Sequence, residues 1–146
     1  MKNSYLKSKS RVLVALLLCG LSSWAAAQTA VIVNPKSPLS ALTPEQAAAL
    51  FLGKSSTLPS GGTVALADLP DSSSVREQFY SKAAGKTGAQ VKAAWSRLTF
   101  SGKATPPKEL PSAADVKKYV AANVDAIGYI EKSAVDASVK VVLVVE

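Results

Sequence analysis

Short apolar runs alternate along the chain with segments whose apolar residues recur every three or four positions. The runs are typical of strands buried on both faces, and the wider spacing is typical of helices with one buried face. Strands are predicted at residues 30–33, 63–66, 126–130 and 139–145. Helices and strands that alternate in this order predict an α/β fold whose mostly parallel sheet is flanked by helices on both faces.

The first predicted helix has a well-marked start and end. Thr43 is placed to cap it, Pro44 suits its first turn, and Gln46 completes a capping box. The helix is expected to end at Gly53, because glycine tolerates the left-handed backbone that often follows a helix.

A second helix is expected to begin within the serine cluster at 72–74, where Ser74 and Glu77 fit a capping box. After the glycines at 85 and 88, a third helix is expected, and Ser112 is placed to start a fourth. Prolines at 106, 107 and 111 predict an extended surface segment between these two. The residues predicted to face the core on the three helices are Val75, Phe79 and Ala83; Val91, Ala94, Trp95 and Leu98; and Val116, Tyr119 and Val120.

The first 27 residues have the pattern of a cleaved export signal. Four basic residues precede the apolar run 12–21, and Ala25-Ala26-Ala27 supplies the small residues that a signal peptidase needs. The run is shorter than the roughly 20 residues that span a bilayer. We therefore expect cleavage after Ala27, a periplasmic or secreted domain of residues 28–146, and no stable membrane insertion afterwards.

Cys19 raises the alternative of a lipid-anchored protein, which would be cleaved just before a cysteine. The residue before it is Leu18, where such cleavage requires a small residue. The sequence favours Cys19 as an apolar member of the signal and leaves the anchored form as the alternative.

The composition of residues 28–146 limits the ligands and reactions that this domain can support. Of 17 basic residues, four precede Gln28, so residues 28–146 carry 13 bases and 10 acids, a net charge of +3. They show no basic stripe with interleaved aromatic residues, which disfavours nucleic-acid binding. The chain has no histidine, and its one cysteine is Cys19. Without the usual general bases, thiol nucleophiles and metal ligands, we expect no enzyme activity, no metal site and no cofactor.

Four short motifs follow one another along residues 28–146. They are Phe51-Leu52-Gly53-Lys54; the serine cluster with Arg76-x-x-Phe79; Trp95 followed by Phe100-x-Gly102; and Ala126-Ile127-Gly128-Tyr129. Together and in this order they resemble the phosphate-binding periplasmic proteins of ABC importers. The resemblance covers nearly all of residues 28–146 but only one of the family's two lobes, so the chain is similar to stand-alone substrate-binding-like forms. It implies one lobe of a type II periplasmic-binding-protein fold and a role related to phosphate import.

The resemblance also indicates where a ligand would bind. The family's Ser-Gly-Thr turn falls on Ser73, Ser74 and Val75, and its arginine falls on Leu69. One hydroxyl is therefore matched, while the second hydroxyl and the arginine are replaced. The ligands of the family's other lobe have no counterpart in this chain.

The candidate anion ligands are Ser72, Ser73, Ser74 and Arg76. Unsatisfied N–H groups and the dipole at a helix start attract anions, and an arginine one turn later adds a charged donor. The alternative is that these serines are helix caps and turn formers.

Two functions follow from these observations. The first is a solute-binding-like protein that binds phosphate or a similar small oxyanion weakly, since one lobe leaves the ligand in water unless a homodimer or partner protein supplies a second wall. The alternative is a ligand-free interaction or sensory-accessory module that kept the lobe fold.

Overall fold

The structure, a computed structural model, describes residues 27–146, and the predicted export signal lies outside the described residues except for Ala27. Five strands and four α-helices follow one another along this part of the chain. The strands are β1 (Thr29–Val33), β2 (Ala65–Asp68), β3 (Lys108–Glu109), β4 (Ala126–Glu131) and β5 (Lys140–Val145). The helices are α1 (Pro44–Phe51), α2 (Ser74–Phe79), α3 (Gly88–Phe100) and α4 (Ala113–Ala122), and a π-helical turn (Tyr80–Ala84) extends α2.

The strands form one sheet in the order β3-β2-β4-β1-β5. β2 pairs in parallel with β3 and β4, whereas β1 pairs antiparallel with both β4 and β5. Four of the five described strands thus run in one direction, as predicted, but the reversed β1 lies inside the sheet. The α/β fold is confirmed, and the sheet is mixed, because two of its four pairings are antiparallel.

Helices cover both faces of the sheet, and the alternation along β4 shows which helix lies on which face. A Cβ built on Gly128 would lie 2.6 Å from Val116 of α4, so that face approaches α4 closely. The next residue, Tyr129, points to the opposite face, where its ring stacks on Phe79 of α2 at 4.1 Å and meets Phe51 of α1. Gly128 therefore permits close helix-to-sheet packing, and Tyr129 centres an aromatic cluster.

The observed helix caps agree in part with those predicted from the sequence. Thr43 and Gln46 form the predicted capping box at α1. The box predicted for Ser74 and Glu77 is wrong, because Ser73 is the N-cap of α2 and its hydroxyl accepts from the amide of Arg76 at 3.2 Å. Ser73 adopts the extended backbone that a cap requires, so the helix starts one residue earlier than expected.

The second strand is displaced by two residues from its prediction. It covers Ala65–Asp68, while Thr63 forms only an isolated bridge with Thr57. β3, which the sequence predicted only as an extended segment, pairs with the end of β2 at Ala67 and Asp68. Pairing with β3 therefore includes Asp68 in the sheet, where it is buried.

α1 and α3 are joined where α1 ends. The indole Nε1 of Trp95 donates to the carbonyl oxygen of Phe51 at 2.8 Å. Gly53 has φ +73°, and a Cβ on it would lie 2.4 Å from Leu98. Only glycine suits both the left-handed backbone and this close approach. Among the described residues, no helix is long and apolar enough to cross a bilayer.

Candidate functional site

The predicted anion site adjoins a buried carboxylate at the end of β2. The Asp68 side chain accepts hydrogen bonds from the Tyr80 hydroxyl at 2.6 Å, from the Tyr129 hydroxyl, and from the Leu69 amide at 2.8 Å. Every buried polar side-chain atom in the described part of the chain has a hydrogen-bond partner. The Asp68 carboxylate therefore accepts from three donors of the protein itself and is fixed in place by them.

The two tyrosines keep their protons in this setting. Burial raises the pKa of Tyr80 and of Tyr129 far above the usual value, and the nearby Asp68 charge raises both further. Ionising either hydroxyl would place a second negative charge beside Asp68 in a poorly solvated place. Both side chains therefore act as hydrogen-bond donors and are unsuited to act as bases.

Arg76 lies between two carboxylates. Its Nε is 3.5 Å from the Asp68 Oδ1, and its Nη1 is 2.9 Å from the Asp71 Oδ1. The Arg76 side chain is 10% exposed and the Asp71 side chain 67% exposed. The guanidinium also lies over the Tyr80 ring at 5.0 Å. Arg76 is thus fixed from within by Asp68 and contacted from the solvent side by Asp71.

The three serines differ in what they offer a ligand. The Ser73 hydroxyl is used by the helix cap, and its amide donates to the Pro70 carbonyl oxygen. Ser72 and Ser74 are exposed. The amides of Ser74 and Val75 have no acceptor among the hydrogen bonds of the described residues. The helix start therefore combines two available N–H groups and two available hydroxyls, with Arg76 one turn further on.

A groove of about 600 Å³ adjoins this helix start. Asp68, Asp71 and Arg76 line it, and none of the three serines does. The rest of the lining combines apolar side chains, among them Trp95 and Phe100, with polar ones that include the charged Lys92 and Glu109. Phe100 is 97% exposed, which is unusual for a phenylalanine. The structure thus brings Arg76 into the groove and leaves the serine hydroxyls outside it.

Sequence reasoning did not identify Asp68 as the centre of this network. Its partners Tyr80 and Tyr129 lie 12 and 61 positions away along the chain. A polar residue that directly follows an apolar strand, together with a tyrosine in another strand, was the available indication. Sequence spacing alone does not show that the two meet.

Comparison with known proteins gives a match at the level of structure. No protein-family model matches the chain, and no curated protein sequence matches it. The chain resembles a phosphate ABC transporter substrate-binding protein from Clostridium perfringens, solved with bound phosphate, with TM-score 0.64 and 24% identity. It also resembles an ABC-type phosphate transport receptor from Vibrio cholerae (TM-score 0.62, 23% identity) and PstS from Borrelia burgdorferi (TM-score 0.59, 15% identity).

Each comparison covers 80% of this chain and 45%, 46% and 47% of the respective solved chain. The chain thus spans less than half the length of the structures it resembles. At these identities the likeness establishes the fold, and it confirms the lobe architecture that the sequence motifs implied.

Proposed function

We propose that residues 28–146 form an exported solute-binding-like lobe that binds a small phosphate-like oxyanion weakly and catalyses no reaction. The observation that carries this proposal is the placement of Arg76, which a buried Asp68 fixes one turn into a helix whose first amides are available. The proposed ligands are the hydroxyls of Ser72 and Ser74, the amides of Ser74 and Val75, and Arg76, while Ser73 holds the helix start in place. Phosphate-binding proteins among the structures of the same fold support this choice of ligand class.

Arg76 takes over the task of the arginine that the family resemblance places at Leu69. Leu69 is only 4% exposed, so this position contributes to the core. A guanidinium at the base of the groove offers a donor fork suited to phosphate oxygens. In this chain the arginine therefore belongs to α2 itself, whereas the position of the family's arginine, Leu69, precedes that helix.

Asp71 is the reason to expect weak binding. Its carboxylate already occupies the Nη1 side of Arg76, and any oxyanion must displace it or bind beside it. The Asp71 carboxylate and a bound oxyanion would repel each other at the small solvent-facing edge of the guanidinium. Water there also screens the attraction between the oxyanion and Arg76. A second wall from another copy or a partner protein would exclude that water and strengthen the contacts.

Asp71→Asn is expected to tighten phosphate binding about two- to fivefold, because it removes the competing carboxylate and leaves a neutral side chain of the same shape. The measurement is an NMR titration of the protein beginning at Gln28 with inorganic phosphate at low ionic strength. Shifts should centre on the amides of residues 72–76.

The matched control is Asp125→Asn, which changes the net charge equally at an exposed site. It should leave the phosphate affinity unchanged. The proposal is wrong if saturating phosphate leaves the amides at 72–76 unmoved, or if both variants gain affinity to the same extent.

Export is the second component of the proposal, and it rests on the residues before Gln28. Intact-mass measurement of the exported protein should give a chain that begins at Gln28. A lipid-modified Cys19 at the N-terminus would instead establish the anchored alternative.

A second candidate function, a ligand-free interaction module, is favoured by one observation. Phe100 is almost fully exposed at the groove that contains Arg76. Exposed aromatic side chains are enriched at protein interfaces, where their apolar surface is covered by a partner. Failure of the phosphate titration would make this the better description.

A further inference from the structure

A second, basic depression shares no lining residue with the Arg76 groove. It has a volume of about 300 Å³ and is lined by the cations Lys54, Lys86 and Arg97 together with Gln90, above the apolar Leu52 and Ala94. No acidic residue lines it. Three positive charges therefore converge on one concave surface without a carboxylate among them.

Backbone contacts fix the places from which the three cations extend. The amide of Lys54 donates to the Ala49 carbonyl oxygen at 2.8 Å, and the amide of Lys86 donates to the Tyr80 carbonyl oxygen at 3.1 Å. Arg97 lies within α3. The α3 contact with Gly53 places the following Lys54 beside that helix. In the first motif, Gly53 is thus explained by its packing against α3, and Lys54 by its place at this depression.

The charges on these three side chains are available to a ligand. The ion pairs in the described part of the chain involve only Arg76 and Lys117 as cations. Lys86 also borders a neighbouring depression that contains Arg76 together with Asp71 and Glu77, so it is the member nearest to competing acids. Lys54 and Arg97 do not border that neighbouring depression.

We propose that this basic depression binds a soluble oligophosphate, an anion that carries at least two linked phosphate groups. A single phosphate carries about two negative charges at neutral pH, fewer than the three cations at this depression, whereas a linear oligophosphate carries more charges and distributes them along all three. Arg97 supplies a forked donor for one phosphate group, and the lysines act as point charges for the others. A concave site favours such a ligand over the flat surface of a membrane.

Tripolyphosphate titration of the protein beginning at Gln28, followed by amide NMR shifts at low ionic strength, tests the proposal. Shifts should be saturable and centred on Lys54, Lys86 and Arg97. Orthophosphate should bind there at least about tenfold more weakly. Each exposed contact contributes modestly, so a single alanine variant should weaken binding about threefold and the triple alanine variant more than tenfold.

The control is a triple alanine variant of Lys82, Lys118 and Lys132, which are exposed and lie outside the depression. It lowers the net charge by the same three units and should retain tripolyphosphate affinity within about twofold. Equal losses in both triple variants, absence of saturable shifts, or binding to vesicles of anionic phospholipid without binding of tripolyphosphate would overturn the proposal. The depression shares no lining residue with the Arg76 groove and includes none of residues 72–74. Shifts at Lys54 and Arg97 therefore report on it separately from the helix start.

Discussion

Asp68→Asn is expected to lower the free energy of unfolding by about 3–5 kcal/mol, because it removes the buried partner of Arg76. The guanidinium stays largely buried, with only the exposed Asp71 to compensate its charge. The amide group of asparagine also offers one acceptor oxygen where the carboxylate offers two, while the Tyr80 and Tyr129 hydroxyls both donate. Urea denaturation of the protein beginning at Gln28 measures the loss.

A double variant separates the uncompensated charge from a general effect of the substitution. Asp68→Asn combined with Arg76→Met removes both charges and retains apolar bulk against the Tyr80 ring. It should be more stable than Asp68→Asn alone by about 1–4 kcal/mol. A cost of less than about 1 kcal/mol for Asp68→Asn would show that the buried ion pair contributes little to the fold.

Phe79→Ala is expected to cost about 3–5 kcal/mol of unfolding free energy by leaving a cavity in the aromatic cluster. Phe79 is fully buried, stacks on Tyr129 at 4.1 Å and meets Phe51 edge-on at 4.9 Å. Aromatic pairs of this geometry contribute beyond the area that they bury. The same urea experiment gives the value.

Phe100→Ala is the matched control, because it makes the same chemical change at a side chain that is 97% exposed. It should change the free energy of unfolding by no more than about 0.5 kcal/mol. Similar costs for the two substitutions would contradict the packing described around Phe79.

The elements whose evidence is local were predicted well from the sequence. The start of α1 depends on Thr43, Pro44 and Gln46, which lie within four residues of one another, and the structure has that capping box. A Thr87-x-x-Gln90 box with the same logic starts α3 and was overlooked, because Gly88 suggested a break. The direction of β1 was beyond reach, since an apolar run reads the same whichever way its neighbours run.

The candidate site was harder to predict because its chemistry depends on contacts between distant residues. The sequence identified the serines and Arg76 but could not show that Arg76 is held between Asp68 and Asp71. The sequence also placed β2 too early, since pairing with β3, and not apolar character, extends that strand to Asp68. Hydrogen-bond partners across a sheet are set by register, which a single sequence does not contain.

The inside position of β1 determines the order in which the domain can fold. β1 lies at the start of the described residues, yet both strands that pair with it lie on the order of 100 residues later in the sequence. β1 can take its place between β4 and β5 only when residues 126–145 are available, and closing so long a loop is slow. Until then residues 29–33 lack their sheet partners, so a chain exported as proposed would close its sheet only after β4 and β5 have become available.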